Sequence, residues 1–360
     1  MRSLAGSMTA LFPYLANDTA FADPKNQVMI RESIQSLALE TKGLETSIAS
    51  TSKENSHAKD PLFKLMAKEF ASDVAAAQAA YDSPGRPFAQ HLLRGSLAYC
   101  TACHSRTEST TKFQFPVFPA TLSELPLIDR MKLYAATRHF DRALSDFEKS
   151  LLDRSLEKLN PLALEKVSRL AIAISIRMDA PDRDTLPMIK NIGKLKNTSS
   201  SFKKDLSSWE TGLKELRQVE KTQRQGESDL EKAKTLILMA ELKKTDSNHA
   251  GDIQYLRASS LLHAYIGTAP SKDSLSEALF LLGKSYSELE LLGFWTLSEV
   301  YFESCIRQAP HLPIAALCYA RYADSVELGY SGSAGLNLPA AVARKLAELR
   351  EMSEIRKVSK

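Results

Sequence analysis

SPGRPFAQHLLRGSLAYCTACH, residues 83–104, decides how the rest of the chain is read. Its opening tetrapeptide, Ser83-Pro84-Gly85-Arg86, is a tight-turn sequence, because proline presets one turn dihedral and glycine tolerates the next. Pro87 then opens a helix, since the N–H that proline lacks is one that the first helical turn leaves unpaired in any case. The helix closes on Cys100-Thr101-Ala102-Cys103-His104, the C-x-x-C-H pattern of covalent c-type haem attachment. Positions i, i+3 and i+4 of a helix share one face, so Cys100, Cys103 and His104 are expected to point the same way. Two thiols so placed can form thioethers to the haem vinyl groups while the imidazole ligates the iron. The expectation is one haem c per chain, held by Cys100 and Cys103, with His104 as the metal ligand.

Three rival readings of these residues stay open at this point. A thioredoxin-type redox pair expects a preceding strand and a βαβ setting, and neither is visible in the sequence. A structural zinc site needs a second ligand pair, and the other two cysteines, Cys305 and Cys318, lie about 200 residues away at an unsuitable separation. Buried, inert cysteines would not need His104 in register.

Upstream, Ile30, Ile34, Leu37, Leu44 and Ile48 fall close to one helical stripe, which Gly43 is expected to bend or divide. Asp60-Pro61 supplies an N-cap and a first-turn proline for a second helix that runs to about Tyr81. Phe63, Met66, Phe70, Ala77 and Tyr81 are its buried face. The short turn at 83–86 makes this helix antiparallel to the one carrying the motif. His91 precedes His104 by 13 residues, or about 20 Å along one helix, and cannot reach the same iron.

From Asp60 to about Arg106 the chain resembles the last two helices of the cytochrome c-prime type of four-helix bundle. Ala79-Ala80-Tyr81, the short turn, Phe88, and Gly95 five residues before Cys100 carry the likeness. The resemblance implies a haem within the bundle, attached near the end of the last helix. It also implies a sixth iron position that is either open or filled by a methionine from the beginning of the first helix. Met29 stands at that place, at the flank of the apolar stripe about 100° from Ile30, where it serves either as axial metal ligand or as edge packing. Met66 is a weaker candidate. Phe70, Phe88 and Tyr99 are expected to control water access to the haem.

The first 22 residues read as an export signal: Arg2, an apolar stretch from Leu4 to Ala16, and small residues Ala20 and Ala22 before a cut. Export would place the protein in the periplasm, and it agrees with the motif, since haem attachment is completed there. Hydrophobic residues make up 44% of the chain and charged residues 25%, which excludes a disordered tail or a collagen-like repeat. No stretch approaches the roughly 18 apolar residues of a membrane span. The net charge of +4 is spread without basic blocks or interleaved aromatics, so nucleic-acid binding is not expected.

Residues 107–122 read as an ordered linker, with Phe113, Phe115, Pro116, Phe118 and Pro119 needing surface to cover. It separates a haem domain at 23–106 from an α-helical array at 123–360. The clearest unit there is Leu279-x-x-Leu282-Gly283-x-x-Tyr286, a turn around Leu292-Gly293, then Ser298, Phe302, Cys305 and Pro310. It resembles a tetratricopeptide repeat, with Gly283 where two helices approach and Tyr286 and Phe302 in the seam. Tyr134, Phe140, Ala143-Leu144 and Phe147 fit the later part of another repeat. An irregular helical domain is the alternative. Cys305 and Cys318 are open to bridging or to burial as thiols, His139, His249, His263 and His311 show no ligand spacing with one another, and His57 reads as part of a polar loop.

The fold expected is therefore all-α: a small helical-bundle haem domain followed by a tetratricopeptide-like array. The function expected is that of an exported monohaem c-type cytochrome serving electron transfer, whose array docks a redox partner or another protein. A haem-based gas or redox sensor and a structural scaffold of the cell envelope are the alternatives. No nucleophile–base arrangement points to substrate chemistry of its own.

Overall fold

The computed structural model describes residues 2–50, 61–104, 120–178, 185–222, 226–243, 249–268, 270–289, 295–333 and 335–355. Among these the chain is all-α. Sixteen α-helices pack chiefly against their neighbours in sequence, and one pair of two-residue strands, Ser331–Gly332 and Gly335–Leu336, accompanies them. No helix among the described residues is long and apolar enough to cross a membrane.

The amino-terminal unit has four helices of alternating direction, α1 (Arg2–Leu15), α3 (Gln27–Ser50), α4 (Pro61–Tyr81) and α5 (Arg86–His104), with the short α2 (Asp18–Ala22) in the first connection. Side chains at both ends fix the directions. Ser7 Oγ meets Ser36 Oγ at 3.1 Å, while Tyr14 Oη donates to Met29 Sδ at 2.9 Å, so α1 and α3 are antiparallel. Arg31 pairs with Asp82 at 2.8 Å and the Tyr81 hydroxyl donates to the Gln27 carbonyl at 3.4 Å, which reverses α4 against α3. In the turn before α5 the Ser83 hydroxyl accepts from the Gly85 N–H at 3.1 Å. Gln90 Nε2 donates to the Leu15 carbonyl at 3.0 Å and Arg94 pairs with Asp18 at 2.7 Å, tying α5 to the far end of α1.

Burial follows the sequence stripes closely. Ile30, Ile34 and Leu37 are buried on α3, and Met66, Phe70, Ala77 and Tyr81 on α4. Leu44 is half-buried, and the Ile48 side chain lies outside the described part. Helix α3 runs unbroken through Gly43, which therefore does not divide it. Phe88 also departs from expectation, being 56% exposed. It occupies the first turn of α5, and the inward phase belongs to Ala89, Leu93 and Leu97, about 100° away around the helix.

The stretch read as an export signal supplies α1. Leu11 and Leu15 are fully buried there, and Met8 and Phe12 nearly so. An apolar run suits a leader and a core helix equally well, because both are selected by the same removal of apolar surface from water.

The remaining helices are α6 (Leu127–Ala136), α7 (Phe140–Leu152), α8 (Pro161–Arg177), α9 (Thr185–Gly193), α10 (Ser200–Thr222), α11 (Asp229–Lys243), α12 (Asp252–Gly267), α13 (Lys272–Glu288), α14 (Trp295–Gln308), α15 (Pro313–Gly329) and α16 (Ala340–Ser353). Local chemistry sets several starts. Asn160 Oδ1 accepts from the Ala163 N–H at 2.8 Å with Pro161 in the first turn of α8, and Ser271 caps α13 in the same manner. Cys305 on α14 and Cys318 on α15 form a disulfide across a Cα–Cα distance of 6.3 Å, which closes the alternative of two buried thiols. The carboxyl-terminal helices fold back on the bundle: Lys345 on α16 reaches Glu69 on α4 at 3.0 Å and Glu303 on α14 at 2.7 Å.

The seam between α13 and α14 holds Leu279, Leu282 and Tyr286, all fully buried, against Phe302. A Cβ at Gly283 would lie 2.5 Å from Phe302 Cε1, so only glycine admits the ring at this approach. Gly283→Val should therefore cost about 1–3 kcal/mol through overpacking. A urea unfolding curve checks this, and an unshifted midpoint would contradict the seam. The turn at Leu292-Gly293 lies outside the described residues, as do His57 and residues 107–119 of the linker.

Candidate cofactor site

The motif ends α5, where α1, α3, α4 and α6 converge. Cys100 is half-buried on the wall of an apolar cavity. Leu4 and Met8 of α1, Leu44 of α3, Met66 and Phe70 of α4, and Tyr99 of α5 close most of it, with Leu133 of α6 and Thr137 at the end of that helix on the remaining side. The backbone is helical through His104, so positions 103 and 104 share the helical face of position 100. The side chains of Cys103 and His104 lie outside the described part.

This setting bears on the rival readings of the two thiols. The disulfide between Cys305 and Cys318 engages the only other cysteines, so they cannot complete a four-cysteine zinc site. A reactive redox pair gains thiolate character from a helix N-terminus, whereas this motif sits at the end of a 19-residue helix with no strand before it among the described residues. A large flat macrocycle carrying two vinyl groups suits the walls in chemistry, since they are apolar and a thiol stands among them, but the free space between them is about 60 Å³ and must widen to take it. Tyr99 and Phe70, in tilted contact at 6.2 Å between ring centres, form one continuous aromatic side.

Met29 is not brought to this cavity. It is 53% exposed, receives the Tyr14 hydroxyl on its sulfur, and sits where α3 begins. Its neighbours there, Gln27 and Arg31, pair with Arg86 and Asp82 at the start of α5, whereas Cys100 is 14 residues further on, about 21 Å along the helix. The methionines on the cavity wall are Met8 and Met66. Met8 was hidden from sequence reasoning inside the presumed leader, and the α6 wall was hidden by its distance in sequence from the motif.

One carboxyl stands behind the aromatic wall. Asp73 on α4 hydrogen-bonds with Tyr99, and burial pushes it up to about 6, the Tyr99 bond opposing this and the neighbouring charge of Glu69 adding to it. The histidines fall as single core or surface residues. His91 is exposed on α5. His139 Nδ1 meets Thr137 Oγ1 at 3.1 Å just behind the cavity wall. His263 is buried, with Nε2 at 2.9 Å from Tyr286 Oη, to which Arg177 also donates at 2.8 Å. His249 has its proton held by Asp252, which raises it above the ordinary imidazole range against the effect of burial.

Comparison of the chain with family models, with curated proteins and with solved structures found no match.

Proposed function

We propose that the chain is an exported monohaem c-type cytochrome in which a covalently held haem serves electron transfer and the carboxyl-terminal helices, a tetratricopeptide-like array, dock a protein partner. The observation that carries the reading is Cys100 of a C-x-x-C-H helix standing on the wall of an apolar cavity. When bound, the haem supplies a one-electron ferric/ferrous couple. Cys100 and Cys103 hold the macrocycle through two thioethers, and His104 holds the iron. Phe70, Met66 and Tyr99 keep water from one side, which sets how strongly the surroundings favour either charge state.

Export and cavity meet at α1. Leu4 and Met8 belong to the stretch expected to be removed after Ala22, so cleavage widens the cavity beside Cys100 on that side. The Cys305–Cys318 disulfide suits an oxidising compartment. Gly283 under Phe302 supports the repeat-like reading of α13 and α14.

A sensor role is the second reading, favoured by Met29 lying at the other end of the bundle from Cys100. The absorption spectrum of the purified ferric protein separates the two. A six-coordinate spectrum with a sulfur ligand supports the carrier, and a five-coordinate one that changes with added nitric oxide or carbon monoxide supports the sensor. A protein without haem absorption contradicts both.

A further inference from the structure

Asp73 stands behind Tyr99, whose ring faces the cavity beside Cys100. We infer that Asp73, hydrogen-bonded to Tyr99 on the cavity wall, is the residue that ties the reduction potential of the site to proton binding. The inference rests on the haem reading above. Reduction brings one electron from an external donor to the site, and Asp73 takes up a proton from water as the positive charge beside it falls. Oxidation returns both.

The surroundings single out Asp73 among the charges of this region. Glu69, one turn earlier on α4, is held by Lys345 at 3.0 Å, and the same ammonium is held by Glu303 of α14 at 2.7 Å. Glu299 of α14 accepts from the Ser325 hydroxyl at 2.7 Å, and burial raises it. On α3, Arg31 is turned to Asp82, and Glu40 accepts from Ser3 and Ser7 in the uncleaved chain. On α5, Arg94 is turned to Asp18 in the uncleaved chain. Asp73 is the carboxyl placed on a side chain of the cavity wall, and its protonation falls near pH 6, where a carrier in a neutral compartment can use it.

The sign follows from charge. Above the transition the Asp73 carboxylate favours the oxidised, more positive site, and the potential is lower. Below it the neutral carboxyl removes that preference, and the potential is higher. One proton per electron bounds the effect at tenfold in the redox equilibrium per pH unit, about 59 mV.

The test is potentiometric titration of the full haem-loaded chain between about pH 5 and pH 8, for the unaltered protein, Asp73→Asn and Tyr99→Phe. The potential of the unaltered protein should fall as pH rises through the region near 6. Asp73→Asn should be level and should sit at the acid plateau. Tyr99→Phe should keep the slope but move it to higher pH, because the hydrogen bond that opposes the burial of Asp73 is gone. A level profile for the unaltered protein, or a slope that persists in Asp73→Asn, overturns the inference while the cofactor reading stands. Absence of haem absorption from the unaltered protein overturns both.

Discussion

A chain carrying Cys100→Ala and Cys103→Ala together should show no haem stain after denaturing electrophoresis, against a strong band for the unaltered chain. The reason is covalent. Thioethers survive unfolding, whereas an imidazole–iron bond from His104 does not outlast the loss of the helix that positions it. Each single variant keeps one thioether and should keep a weaker stain. The double variant should also be less stable, because the walls built from Met66, Phe70 and Tyr99 lose the group that covers them. A persistent stain in the double variant would show attachment elsewhere.

The largest effect on stability away from this site is expected at Arg169. It is 3% exposed, and its guanidinium reaches Glu165 at 2.9 Å and Asp205 at 2.5 Å. It also lies 4.9 Å over the Trp209 ring and 5.2 Å over Phe202. One side chain thus joins α8 to α10 by charge and by cation–π contact. Arg169→Ala leaves two carboxylates facing each other without a cation and empties the space beside two aromatic rings. Breaking a buried pair costs about 3–5 kcal/mol. The partial exposure of Glu165 and Asp205 places the loss toward the lower end. Urea denaturation measures it, and a change below about 1 kcal/mol would mean that water replaces the guanidinium without penalty.

How much of this was legible in the sequence depends on the range of the interaction. The α4–α5 hairpin was readable because its signals are local: a proline in the first turn of α4, a Ser-Pro-Gly-Arg turn, and stripes at helical spacing. The motif was readable because its geometry lies within one helical turn. Phe88 departs from its expected place because it sits next to a buried position, and a residue-type preference cannot tell an inward phase from its neighbour. The α6 side of the cavity was out of reach, since Leu133 and Thr137 meet Cys100 only through tertiary packing. Pairing of Cys305 with Cys318 likewise needed the approach of α14 to α15. Gly283 was the exception among distant contacts, because a small residue within an apolar repeat pattern already implied a close neighbour.

The α1 segment shows the limit most plainly. Leu11, Phe12 and Leu15 satisfy the demands of a leader and those of a bundle helix with the same side chains. Composition alone does not choose between removal and burial.

The central claim is a haem joined to Cys100 and Cys103 in an exported chain. Its most direct test is the intact mass of the native protein recovered from the periplasm. The account predicts the mass of residues 23–360 plus one haem, retained under denaturing conditions. A mass equal to the polypeptide alone, whatever its amino terminus, would contradict it.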